Sequence, residues 1–193
     1  MAEALETLVP RIIPNHSFGV YPHQGKSDLL GNLGARLRSY ASMRASWPDL
    51  RVVVVVDRDG DDCIQLKGSL LATCSAAKCN ALCRIAIEEL EAWFFGDVPA
   101  LRSAYPKVSA NLEKHSKYRD PDAIAGGTWE SLERVLQRAG YYKSGMPKIE
   151  VAQRVAEHMR PDINRSRSFQ VFRDGLRSVV EQSGMTAKCA ATE

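Results

Sequence analysis

The chain has 193 residues, of which 45% are hydrophobic and 25% charged, and its formal net charge is +3. That length suits one domain with a full core, or a core with a helical appendage, and so mild a charge excludes neither an anionic partner nor a neutral one. No apolar run approaches the roughly 18 residues that a membrane span needs and no apolar leader opens the chain, so a cytoplasmic protein with no membrane attachment is expected.

Residues 2–13 (AEALETLVPRII) put Leu5, Leu8, Val9 and Ile12 on one helical face, with Pro10 in the last turn. SFGVYP (17–22) reads as a short strand. HQGKSDLLGNLGARLRSYASM (23–43) reads as a glycine-containing turn running into a helix with an apolar stripe of Leu30, Leu33 and Leu37. LRVVVVV (50–56) is a continuous β-branched run and predicts a central parallel strand covered on both faces. A helix is expected from about Ile64 to Ala77, a strand over LCRIAI (82–87), and a helix or turn over EELEAWFFGD (88–97). Alternation of this kind argues for an α/β sheet with right-handed crossovers.

The second half differs. TWESLERVLQRAG predicts a helix capped by Thr128 and stopped by Gly140. PKIEVAQRVAEHM predicts another, opened by Pro147, and SRSFQVFRDGLRSVVEQ a third with Phe169, Phe172, Leu176 and Val179 on one side. Trp93 and Trp129 lie on apolar faces and read as core. No strand is expected after about residue 100, and the tail GMTAKCAATE is expected to fray. The division is therefore residues 1–100, an α/β core, and 101–193, an α-helical region packed on it. Five cysteines are odd in number; Cys74, Cys79 and Cys83 match no common zinc spacing, and free thiols are expected.

Chemistry concentrates in VVVVVDRDGDDC (52–63). Ligand sites in parallel α/β sheets lie at the carboxyl ends of strands, where Asp57 falls, with Asp59 two residues on. Two carboxylates converging there suit Mg²⁺ or Mn²⁺. Glu88, Glu89 and Glu91 follow the next strand and reach the same edge. Asp61 and Asp62 stand where a helix N-cap belongs. An EF-hand fails, because its sixth and twelfth positions hold Asp62 and Gly68. A D-x-D-G phosphatase pattern, with Asp57 as nucleophile, is closer, but Asp61 takes the place of its Thr. His23 and Lys26 follow the short strand and are either phosphate-holding groups or a solvated turn; the Walker spacing is absent. Arg165, Arg167 and Arg173, with Lys148 as a further candidate, form either a phosphate-binding face or a solvated helix face.

HQGKSDLL (23–30), VVVVVDRDGDDC (52–63), RIAIEELEAWFFGD (84–97), the long stretch over 118–156 and NRSRSFQVFRDGLR (164–177) together resemble the bacterial DUF4276 family, which looks Toprim-like. The resemblance covers nearly the whole chain. It implies a Rossmannoid parallel sheet flanked by helices, with Asp57 and Asp59 as a metal-binding D-x-D and Glu89 or Glu91 as the further carboxylate. It also implies a first strand, ended by a Glu, ahead of the opening helix. This chain begins at that helix, so Glu3 is expected as a further acidic metal ligand from that first loop and one sheet position is expected to be exposed.

These readings lead to a Mg²⁺-dependent, nuclease-like phosphodiester-processing protein, with Asp57, Asp59, Glu89 and Lys26 as its catalytic set. Nucleic acid is the expected partner, and the resemblance adds an ATPase encoded nearby within a bacterial defence or DNA-maintenance system. The alternatives are a non-catalytic subunit that binds a metal or a partner's basic surface, and a phosphatase.

Overall fold

The structure is a computed structural model that describes residues 1–190, with side chains through Glu181. Residues 184–190 of the tail expected to fray continue the last helix, and the side chain of Cys189 lies outside the described residues. The chain is α/β, with two strands and a majority of helix among the described residues. Its elements are α1 (Ala2–Ile12), α2 (Lys26–Met43), β1 (Val52–Asp57), α3 (Cys63–Ala76), β2 (Ala81–Ala86), α4 (Glu91–Phe95), α5 (Val98–Ala104), α6 (Thr128–Arg138), α7 (Lys148–Ala156) and α8 (Arg167–Ala190), with three single 3-10 turns between α5 and α6.

β1 and β2 pair in parallel, from Val52 opposite Ala81 to Asp57 opposite Ala86. The valine run forms its strand as expected, because β-branched side chains pack well on a pleated surface. Side-chain alternation then divides it. Val54 and Val56 join Leu33 and Leu37 of α2 and Leu66, Leu70 and Cys74 of α3 in one apolar cluster. Val53 and Val55 pack against a larger cluster on the opposite face, built from α1, α4, α5, α6, α7 and α8. Both faces of β1 are thus covered, but it is not a central strand. Among the described residues it has one neighbour, β2.

The missing neighbour is the strand expected over 17–22, which forms no ladder. Val20 packs on the larger cluster, while Phe18 and Tyr21 are exposed. Local alternation supplied a strand-like pattern there, but a strand requires a backbone partner, and none reaches it. On α2, Leu33 and Leu37 are buried and Leu30 is exposed, so the apolar stripe is narrower than its sequence spacing predicts.

Asp62 caps α3 as expected, its carboxylate accepting the Gln65 N–H at 2.8 Å. Thr128 does not cap α6. The N-cap position is Gly127, at φ 77°, and Thr128 begins the helix. Trp93 is fully buried, stacked on Phe172 with ring centroids 5.0 Å apart, and its indole N–H donates to Ser168 Oγ at 3.0 Å. Asn164 Nδ2 donates to the Trp93 carbonyl at 2.7 Å. These bonds tie α4 to the start of α8, so apolar packing and hydrogen bonding both cross residue 100.

Candidate functional site

Parallel pairing brings the carboxyl ends of β1 and β2 together. Beyond Asp57 the two loops stay zipped: the Arg58 N–H donates to the Ala86 carbonyl and the Asp59 N–H to the Glu88 carbonyl, each at 2.9 Å. Asp59 (φ 50°) and Glu88 (φ 60°) both adopt the left-handed conformation that is uncommon outside glycine. The strand's alternation therefore ends at Asp57 and does not carry through to Asp59.

A cavity of about 160 Å³ opens here, lined by Asp57, Glu89, Glu91, Lys148, Met1, Leu90, Ile149 and Ala152. Asp57 comes from the end of β1, Glu89 and Glu91 from the β2–α4 turn, and Lys148 from the first turn of α7, which packs on α1. Asp57 Oδ1 is buried and has no hydrogen-bond partner. Burial, followed by the charges of Glu91 and Asp59, raises the Asp57 carboxyl to about 7. Burial also raises Glu91; Glu89 adds to that effect, while Lys148 opposes it.

Glu89 is held differently. Its Oε2 accepts the Thr128 hydroxyl at 3.0 Å and the Trp129 N–H at 2.8 Å, so it caps α6 from 39 residues upstream. A carboxylate at a helix N-terminus is favoured by the unpaired N–H groups and by the helix dipole. Lys148 Nζ sits 4.0 Å from the centroid of the Trp129 ring, a cation–π contact at the cavity wall.

The arrangement can do two things. Its carboxylates can share a proton near neutrality, or they can accept a hard cation. Among the described residues no three His, Cys, Asp or Glu side chains converge as a ready-made metal cage. Mg²⁺ does not need one: it binds through one or two carboxylates and keeps several waters. Asp57, with its unpartnered oxygen, and Glu91 fit that requirement, and Glu89 stands beside them with Oε2 already engaged.

A family model described as Domain of unknown function (DUF4276) matches residues 1–177. The chain belongs to the DUF4276 family. No curated protein and no solved structure matches it.

Elsewhere in this DUF4276 chain, the remaining expected residues are dispersed. Asp59 is exposed and pairs with Lys26 at 3.4 Å. Lys26 also meets Asp61 at 2.7 Å and donates to the Arg58 carbonyl at 2.5 Å, so it braces the 58–61 turn. The D-x-D is thus divided between the cavity and the surface. His23 Nδ1 lies 2.9 Å from Asp28 Oδ2. That carboxylate also accepts the Gln24 N–H, and together the two contacts hold Asp28 below its usual range. Glu3 is half-buried on α1 and does not line the cavity. Arg165 bonds to the Arg119 carbonyl and pairs with Glu113 at 3.5 Å; Arg173 bonds to the Pro161 carbonyl and to Asp174. Arg167 is exposed, with Gln170 Oε1 at 3.5 Å.

Lys148 belongs with the acidic cavity, not with the arginines. Neither it nor the Thr128–Trp129 contribution has a local sequence signal, because α6 and α7 reach the site only through tertiary packing.

Proposed function

We propose that this protein is a Mg²⁺- or Mn²⁺-dependent, nuclease-like phosphodiester-processing protein with a Toprim-like site at the carboxyl ends of its parallel strands. The observation that carries this reading is the buried, unpartnered Oδ1 of Asp57 in a cavity shared with Glu89 and Glu91. A buried carboxylate oxygen without a donor is costly unless a cation or a proton satisfies it. Asp57 and Glu91 would hold the cation, and Glu89, fixed by α6, would orient what binds beside it. Lys148 would meet the charge of an incoming phosphate. Bound there, a divalent cation supplies electrostatic stabilisation to phosphoryl oxygens. Nucleic acid as substrate and an ATPase as partner belong to the same proposal.

Calorimetric titration with Mn²⁺ tests it. Saturable binding is expected in the wild type, weakened at least roughly tenfold by Asp57→Asn and by Glu91→Gln. Plasmid nicking with Mn²⁺ should be lost in the same variants. Identical titrations of all three proteins would sink the metal reading.

One observation favours a second reading, a non-catalytic binding subunit. Arg165 and Arg173 are paired with Glu113 and Asp174, and among the described residues Lys148 is the sole cationic side chain that lines the cavity. Mn²⁺ binding without nicking, in a protein that co-purifies with a partner, would support that reading.

A further inference from the structure

A second cavity lies at the amino ends of the same two strands. Its volume is about 380 Å³, within the roughly 300–1,000 Å³ typical of small-molecule sites. Arg44, Arg51, Asn80, Leu82, Arg84 and Gly175 are among its lining residues, drawn from the end of α2, the start of β1, β2 and α8. The strand register sets Val53 opposite Leu82 and Val55 opposite Arg84, so Arg51 and Arg84 share the sheet face that α8 covers.

The arginines here differ from ordinary surface charges. Arg84 Nε donates to the Val171 carbonyl at 2.9 Å and Nη1 to the Cys83 carbonyl at 3.0 Å, which fixes the guanidinium against α8. It lies over Gly175, where a Cβ would collide with it. Glycine is disfavoured inside a helix relative to alanine, and at this position it makes room for the arginine. Arg51 Nη1 donates to the Pro48 and Leu50 carbonyls at 2.9 and 3.2 Å. Among the described residues none of the three arginines is paired with a carboxylate. Burial lowers the pKa of Arg84 below its usual value, as expected for a cation without a counter-ion.

We propose that this cavity binds a small phosphorylated ligand, with Arg44, Arg51 and Arg84 taking its phosphate and Leu82 and Val179 facing its organic part. Three guanidinium groups carry more charge than one carboxylate can balance. A phosphomonoester brings close to two negative charges and three acceptor oxygens, which suit a group of guanidinium donors that no carboxylate balances. The inference is independent of the metal reading, because it concerns the opposite end of the strands.

Calorimetry of the full chain with inorganic phosphate and with AMP tests it. One-to-one saturable binding is expected, tighter for AMP by at least tenfold. Arg84→Gln should weaken both at least tenfold, and Gly175→Ala should do the same by displacing the guanidinium. Arg38→Gln, an exposed change on α2, should leave both unchanged, and Mn²⁺ titrations should be the same in all four proteins. If Gly175→Ala fails to fold, Arg84→Gln decides. No saturable binding, or equal binding by Arg84→Gln and wild type, would overturn the proposal. Binding of a single-stranded 12-nucleotide oligomer by a protein that ignores phosphate and AMP would overturn it in favour of a nucleic-acid contact.

Discussion

At the carboxyl ends of β1 and β2, three carboxylates share a cavity with one lysine; at the amino ends, six residues or about 20 Å away, three arginines share another with no carboxylate among the described residues lining it. The two ends have different ways of bearing their excess charge. A crowded carboxylate can take up a proton, and Asp57, raised to about 7, does so near neutrality. A guanidinium cannot lose its proton in the physiological range. The acidic end therefore changes with pH, while the basic end stays charged until an anion or solvent balances it.

The largest expected effect sharpens that contrast. Between an unfolded value of 3.8 and a folded value of about 7, folded Asp57 holds a proton that the unfolded chain has released. The unfolded state binds fewer protons in this window, so stability falls as pH rises from about 4 to about 7 and is level above. Asp57→Asn should remove the slope. Urea denaturation should find the variant more stable than wild type at pH 8, by on the order of 4 kcal/mol, and nearly equal to it at pH 4. Arg84→Gln should leave the slope intact. A flat wild-type profile would mean that Asp57 is solvated, and the contrast between the two ends would fail.

A smaller effect concerns what holds the acidic end in place. Glu89→Ala removes the cap of α6 and leaves the Trp129 N–H unpaired, a loss of about 1 kcal/mol in thermal unfolding. The smallest concerns the outer half of the D-x-D. Asp59→Asn should change Mn²⁺ affinity less than about threefold, because an exposed pair with Lys26 contributes little. A loss as large as that of Asp57→Asn would place Asp59 in the cavity after all.

The sequence did not show α5, and α7 ends three residues short of its expected limit and α8 eight beyond. It carried the two strands and the starts of α1, α3, α6, α7 and α8 to within a residue or two wherever a local rule decides. The β-branched run, the Asp62 cap and the glycine that stops α6 are such places. It failed where the outcome depends on a distant partner. SFGVYP alternates like a strand but has no neighbour to bond among the described residues. Asp57 and Asp59 look like a matched pair because they are two residues apart, yet the left-handed turn at Asp59 breaks the alternation and Lys26 draws its side chain to the surface. Thr128 resembles an N-cap, but Glu89 performs that role from the far side of residue 100. Glu89 and Glu91 could be named from their position after β2, while Lys148 depended on α7 packing against α1.

The contact between Lys148 and Trp129 gives the acidic cavity an optical signal of its own. An ammonium 4.0 Å from an indole centroid perturbs the excited state of that ring, and an anion that draws Lys148 into the cavity would change the emission. Two other tryptophans contribute to the fluorescence: Trp93, enclosed by Phe169 and Phe172, and Trp47, 63% exposed. In a Trp47→Phe background the spectrum would come from one indole sealed in the core and one in contact with a lysine that lines the site. Occupancy of the cavity could then be followed in real time without attaching a dye.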